Sequence, residues 1–296
     1  NSPLHRLIVR YAPGVSWVGD PSGHKFSYDV ISSTSICRYV VADGGNDTIV
    51  NIRLAGMYGV GELFVESEKD EDSKEIIIYT DKLGRRVLEE REGRHYTYYV
   101  YDDHSRLRAV LPPQLSDSLT TVGCMWSNVS SKLVRQYAYL YNYDGKGQCS
   151  HKYLPGTSWS YYYYDQSGEL ILTQDDNLRK KGECMFTIPD AHGRIALSGI
   201  CRNSCSFAFN PLEDVIVRAV SDNQTHILKG YDISGIILSS PIVEIANYYD
   251  DYKFMGKNGI PKFDGSVLSS EFINGYGICK SENLVGHQTS QLIRLE

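Results

Sequence analysis

This 296-residue chain is short of several things, and each shortage excludes a class of protein. It carries 30 Lys and Arg against 36 Asp and Glu, a formal net charge of −6. That leaves no positive surplus to neutralise phosphates, so nucleic acid is not an expected partner. Long apolar runs are missing: stretches such as Ile76–Ile78 and Ile236–Leu238 fall far short of the roughly 20 residues of a membrane-spanning helix. The opening Asn1-Ser2-Pro3 lacks the charged start and apolar run of a signal peptide, which reads as a fragment excised from a longer chain. Cysteine is sparse and odd in number, with Cys37, Cys124, Cys149, Cys184, Cys201, Cys205 and Cys279 scattered along the sequence. A small disulfide framework is thereby excluded, and buried thiols are the expected state. Only Cys201 and Cys205 stand close enough for a local disulfide, and their spacing is not that of a zinc site.

Methionine (4) and phenylalanine (8) are also few, whereas tyrosine (23) and glycine (26) are abundant. That mixture favours strands and tight turns over helices. The tyrosines fall into a repeat. Tyr79-Thr80-Asp81-Lys82-Leu83-Gly84-Arg85 is followed by Tyr101-Asp102-Asp103-His104-Ser105-Arg106 and Tyr143-Asp144-Gly145-Lys146-Gly147-Gln148. Next come Tyr164-Asp165-Gln166-Ser167-Gly168, Pro189-Asp190-Ala191-His192-Gly193-Arg194 and Tyr231-Asp232-Ile233-Ser234-Gly235. The aspartates lie 21, 42, 21, 25 and 42 residues apart, so each 42 reads as two periods, with a degenerate unit surviving at Phe209-Asn210-Pro211-Leu212-Glu213.

Five of these six units place glycine three after the aspartate. The aspartate starts a tight turn by accepting backbone N–H bonds, and glycine supplies the positive φ that lets a hairpin rejoin its strand with a bulge. The flanks agree: Tyr96 to Tyr101 are all aromatic or β-branched, and Tyr137, Tyr139, Tyr141 and Tyr143 alternate, which puts four rings on one strand face. Asp20-Pro21-Ser22-Gly23 shares the Asp and Gly spacing but lacks the tyrosine and the period.

These residues resemble the YD repeat of bacterial Rhs-type proteins, whose pattern is Tyr-Asp-x-x-Gly-Arg followed by a hydrophobic strand. Gly84-Arg85 and Gly193-Arg194 keep the second half of the pattern, while Tyr143-Asp144, Tyr164-Asp165 and Tyr231-Asp232 keep the first half and the glycine. The stretch from Tyr98 to Pro113 is similar to long Rhs-repeat proteins of gut anaerobes. The resemblance implies an all-β fold of consecutive antiparallel hairpins forming a long curved sheet, a partial Rhs-type shell. It also implies a secreted or cell-surface protein whose shell in some members encloses a toxic C-terminal domain. Asp20-Pro21-Ser22-Gly23-His24 departs from the family's self-cleavage motif, which argues against self-cleavage.

Other constellations have plainer accounts. The acidic run Glu66 to Glu75 lacks the glycine and spacing of a calcium loop and reads as a solvated hairpin tip between Leu63-Phe64-Val65 and Ile76-Ile77-Ile78-Tyr79. Cys149 and His151 would share a strand face without a third orienting group, and His104 and His192 fall inside repeat turns as exposed polar residues. Gly59-Val60-Gly61 leads into a strand, as a hairpin-flanking pair and not a phosphate loop. The sequons at Asn46, Asn128 and Asn223 match the expectation from chance. Trp159, Tyr161 and Tyr163 could stack on sugar faces, which makes a glycan or cell-surface partner the alternative to a purely structural part.

The expectation is therefore an irregular β region over 1–75, a YD-repeat sheet over 76–240 and a degenerate repeat region over 241–296, with little helix. Its partner is the remainder of its own longer polypeptide. No enzyme activity, cofactor or metal is expected, since no cleft-forming acid–base pair or activated nucleophile is legible.

Overall fold

A computed structural model describes residues 6–11, 23–42, 50, 52–92, 95–121, 131–202, 214–219, 227–250 and 288–293. The chain divides into two compact units, Asn1–Trp159 and Ser160–Glu296.

The first unit is built on a strip of antiparallel strands. Its strands are β1 (Val9–Arg10), β2 (His24–Val30), β5 (Phe64–Lys69), β6 (Glu75–Thr80), β7 (Arg86–Arg91), β8 (His95–Tyr101), β9 (Leu107–Leu111), β10 (Tyr139–Tyr143) and β11 (Cys149–Tyr153), hydrogen-bonded in that order. The intervening β3 (Cys37–Val41) and β4 (Ile52–Met57) pair with each other as a separate hairpin. Helices α1 (Pro113–Thr121) and α2 (Ser131–Tyr137) stand between β9 and β10.

Period-two alternation gives the strip two different faces. Val100, Ala109, Leu111 and Leu140 lie on one, buried with Tyr39 and Ile52 of the β3–β4 hairpin and Leu115 and Leu119 of α1. Tyr39 meets Tyr98 edge-on at 5.1 Å, and the Ser116 hydroxyl donates to the Tyr96 carbonyl, tying α1 to β8. The register puts Phe26, Tyr28, Ile78, Tyr99, Tyr101, Tyr139, Tyr141 and Tyr143 on the other face. Here the rings lie under arginines: Arg6 over Tyr28, Arg10 over Phe26, Arg86 over Tyr99, Arg85 over Tyr101 and Arg106 over Tyr143, at 5.0 to 5.9 Å. A guanidinium over a ring keeps one side of the aromatic covered while its own polar edge stays wet.

The second unit repeats the plan. Strand β12 (Trp159–Tyr164) begins at the boundary and is followed by β13 (Leu170–Gln174), α3 (Asp176–Lys181), β14 (Cys184–Pro189) and β15 (Ile195–Cys201). Strand β15 then pairs with β18 (Ile242–Tyr249), and β18 with β19 (Gln288–Ile293). The connecting β16 (Ile216–Ala219) and β17 (Tyr231–Ser234) form their own two-stranded sheet. Helix α3 is short but well terminated: Asp175 caps the Leu178 N–H and Gly182 ends it at φ +68°.

The architecture is nearly all β with few helices. Strand β5 joins β6 in register from Phe64↔Thr80 to Lys69↔Glu75, and β18 joins β15 directly. The expectation of thiols throughout is corrected at Cys184, which is disulfide-bonded, while Cys37, Cys149 and Cys201 are thiols. Cys124, Cys205 and Cys279, Asp20-Pro21-Ser22, the unit at 209–213 and the three sequons lie outside the described residues.

Candidate functional site: a ladder of aspartate turns

The repeat turns share one construction. Asp81 Oδ1 accepts the backbone N–H groups of Leu83 and Arg85, both at 2.9 Å, and Oδ2 accepts Arg85 Nε at 2.8 Å. Two backbone bonds close the loop, Gly84 N–H to the Asp81 carbonyl and Asp81 N–H to the Arg85 carbonyl. Asp102 and Asp190 do the same with His104, Arg106 and with His192, Arg194. Asp144 and Asp165 keep the backbone half, but Gln148 and Glu169 stand where the arginine would be. At Asp165 the second carboxylate oxygen instead accepts the Val215 N–H at 3.3 Å.

The fourth turn residue carries the positive φ: Gly84 at +78°, Gly147 at +85°, Gly168 at +93°, Gly193 at +75°, with Ser105 at +61° in the unit that lacks glycine. A register shift falls at the residue before each aspartate, at Thr80, Tyr101, Tyr143, Tyr164 and Pro189. The extra residue is the bulge that lets a five-residue turn rejoin an antiparallel pair.

Electrostatics follow from this geometry. Burial pushes the Asp102 and Asp190 carboxyls up, but hydrogen bonds from Arg106 and from Arg194 outweigh it and hold both below the usual carboxylate range. The guanidinium of Arg194 is raised by its bonds to Asp250 and Asp190.

Each complete turn is also joined to the following unit. Arg85 lies over Tyr101, Arg106 over Tyr143 and Arg194 over Tyr249, at 5.2, 5.2 and 4.2 Å. The same three tyrosine hydroxyls donate to the carbonyls of Arg86, Leu107 and Ile195, the residue after the stacking arginine in each case. The tyrosine of one unit is therefore clamped by the arginine and the backbone of the unit before it. Phenylalanine could supply the ring but not the hydroxyl bond, which explains in chemical terms why tyrosine stands at these three positions.

The hairpin tip expected in the acidic run is a further aspartate turn, and one more Tyr-Asp pair joins the ladder. Asp70 accepts Lys74 N–H at 2.8 Å and closes the same backbone loop with Ser73 at φ +65°, at the tip of the acidic hairpin and without glycine or arginine. Tyr249-Asp250 receives Arg194 through two bonds, 3.0 Å to Oδ1 and 2.7 Å to Oδ2; the Tyr-Asp pair itself was the available signal.

One sequence expectation is corrected, and the structure bears on two further readings. Tyr231-Asp232-Gly235 is not a turn: Tyr231 and Asp232 lie in β17, opposite Ala219 and Arg218. Tyr231 is buried, stacked on Tyr248 at 5.6 Å, and Gly235 is required because a Cβ there would stand 2.1 Å from the Asp214 carbonyl oxygen. Tyr161 and Tyr163 are 5% and 8% exposed, so neither offers a ring face to a sugar, and Trp159 packs edge-on against Tyr153 and His151. The Cys149 thiol faces the His151 carbonyl at 3.6 Å, while the His151 ring meets the Ser150 hydroxyl at 2.8 Å. Burial moreover pushes that thiol up, away from the reactive thiolate.

No family model matches the chain, and no curated protein matches it. Among solved structures it is similar to a TcdB2-TccC3 chain, at 12% identity and TM-score 0.36 over 68% of this chain and 10% of that one. A TcdB2-TccC3-TEV chain is similar at 12% identity and TM-score 0.36, over 83% and 12%. The Photorhabdus luminescens Tc holotoxin pore is similar at 11% identity and TM-score 0.21, over 79% and 14%. The chain thus spans only 10 to 14% of the length of these chains.

Proposed function

We propose that this chain is a structural scaffold, a wall segment of a secreted or cell-surface Rhs-like protein whose partner is the rest of its own polypeptide. The observation that carries this reading is the ladder in which Arg85, Arg106 and Arg194 each engage the tyrosine of the following unit. A unit of this kind is completed by its neighbour, which is the logic of a repeat protein and not of a self-contained binding module. The aspartates and arginines of the complete turns are engaged in internal bonds, and we propose no enzyme activity for them. Enclosing or presenting a toxin-like C-terminal domain is what the family resemblance implies for the parent protein.

Electron cryomicroscopy of the parent polypeptide tests this. The expected result is that the strip continues by backbone hydrogen bonding into flanking repeats. A segment standing apart from the remaining chain, together with saturable glycan binding by the isolated segment, would overturn it in favour of a carbohydrate-binding module.

A further inference from the structure

Six arginines that stack on an aromatic ring in this chain also hold a carboxylate. Arg10 pairs with Glu68, Arg85 with Asp81, Arg86 with Glu89, Arg106 with Asp102, Arg179 with Asp176, and Arg194 with Asp190 and Asp250. Arg38 differs from these six. Its guanidinium lies 5.7 Å over the Tyr58 ring, yet it makes no ion pair among the described residues. A stacked guanidinium is held in one plane, ready to meet a carboxylate with two parallel bonds.

Arg38 lines a cleft of about 350 Å³ in the first unit, between the β3–β4 hairpin and the turns of Asp81 and Asp102. Lys82 lines the same cleft and likewise has no ion pair among the described residues. The half-buried Tyr58 hydroxyl has no hydrogen-bond partner among them either. Burial raises its pKa, so it remains a donor. Of the acidic groups in the lining, Asp81 and Asp102 are paired with Arg85 and Arg106 of their own turns, Glu62 accepts the Gly59 N–H at 2.7 Å, and Asp103 completes the set. Glu62 and Asp103 thus stand against Arg38 and Lys82, a balance that disfavours a polyanion. Leu83, 70% exposed in the same lining, offers apolar surface beside the cations.

We propose that this cleft binds a small organic carboxylate with an apolar portion, its carboxylate on Arg38 and Lys82 and its apolar part against Leu83. Recognition of this kind needs a fork of donors for the acid and a nearby hydrophobic contact for the remainder, and both are present on the cleft wall.

The test uses the intact chain with N-acetyl-leucine, N-acetyl-leucinamide and inorganic phosphate as probes, followed by NMR shift perturbation and calorimetry. Saturable binding of N-acetyl-leucine is expected, with shifts at Arg38, Tyr58 and Lys82 and at least tenfold weaker binding of the amide and of phosphate. Arg38→Gln should weaken binding at least tenfold and Lys82→Gln severalfold, with circular dichroism unchanged. Arg38→Lys, which keeps the charge and loses the fork, serves as the second variant and should also weaken it. Absence of saturable binding, an amide or phosphate that binds as tightly as the acid, or undiminished binding by a folded Arg38 variant would each overturn the proposal.

Discussion

The guanidinium of Arg85 lies 5.2 Å from the centroid of the Tyr101 ring, and the Tyr101 hydroxyl donates at 3.0 Å to the carbonyl of Arg86, the next residue along. One tyrosine is thus gripped twice by one short stretch of the preceding unit. The two grips are separable by substitution. Tyr101→Phe keeps the stack and removes the hydroxyl bond, so it should cost about 1 kcal/mol, the net worth of an ordinary hydrogen bond. Tyr101→Leu removes both and should cost more by the stacking contribution of about 0.5–1 kcal/mol and by lost packing. Urea unfolding of the two variants measures the difference. Tyr143→Phe should behave as Tyr101→Phe does, because its hydroxyl holds the Leu107 carbonyl at 2.9 Å in the same way. Equality of the Phe variants with the unmodified chain would show that the hydroxyl tie contributes nothing.

Acid should attack the turns before it attacks the core. The Asp102 and Asp190 carboxyls are held below the usual carboxylate range in the folded chain, while in the unfolded chain an aspartate titrates near about 3.9. The folded state therefore releases these protons more readily than the unfolded one. Their contribution is fully present above about pH 3.9 and is lost as pH falls through the depressed folded values. Denaturant midpoints measured from pH 7 down to pH 2 should decline across that window. In Asp102→Asn and Asp190→Asn the decline should be shallower, from a lower starting stability at neutral pH. An unchanged slope in both variants would remove the turns from the acid response.

Much of this ladder could be read in the sequence because its parts are local. Asp, Gly and Arg of one turn are within four residues of each other, and the bonds among them depend only on backbone conformation. The inter-unit grip on Tyr101 or Tyr249 was not legible, since Arg194 and Tyr249 are far apart in the chain and meet only through the β15–β18 pairing. The hairpin tip at Asp70 was legible from its acidic run, but its likeness to the repeat turns was not, because Ser73 adopts the positive φ without being glycine. Asp232 misled for the opposite reason: Gly235 satisfies the spacing and holds φ +87° close to the Asp214 carbonyl, yet Asp232 lies in β17 and starts no turn. The burial of Tyr161 and Tyr163 depends on what packs over the strip, which alternation alone does not reveal.

Serine in a left-handed conformation suggests a stabilising change. Ser105 holds φ +61° in the position that glycine fills in the neighbouring turns. A residue with a Cβ pays about 1–2 kcal/mol there, partly offset by the greater freedom that glycine has in the unfolded chain. Ser105→Gly should therefore raise stability by up to about 1 kcal/mol, less whatever the Arg85 contact to the Ser105 hydroxyl at 3.3 Å contributes. The converse change, Gly84→Ala, meets nothing within 4 Å of the new Cβ, so its cost of about 1 kcal/mol should be purely conformational. Gly199→Ala differs in kind, because its Cβ would fall 2.0 Å from the Ile242 carbonyl oxygen and force β15 and β18 apart. Thermal unfolding of the three variants should rank Ser105→Gly above the unmodified chain, Gly84→Ala modestly below it and Gly199→Ala lowest.

Alkali probes the buried tyrosines. Burial, reinforced by the neighbouring Tyr161, pushes the Tyr163 phenol up to about 12, with Arg179 opposing the shift. In the unfolded chain a tyrosine titrates near about 10, so here the folded state keeps its proton longer. The resulting stability is fully present below about pH 10 and is lost as pH rises toward about 12. Thermal midpoints between pH 9 and pH 12 should fall, and phenolate absorbance should rise together with unfolding because the ring must leave the interior to ionise. Tyr163→Phe removes the proton and should flatten part of that fall. Should Tyr163→Phe follow the unmodified chain at every pH, the alkaline loss would have to come from other tyrosines, with the half-buried Tyr99 and Tyr101 the next to substitute.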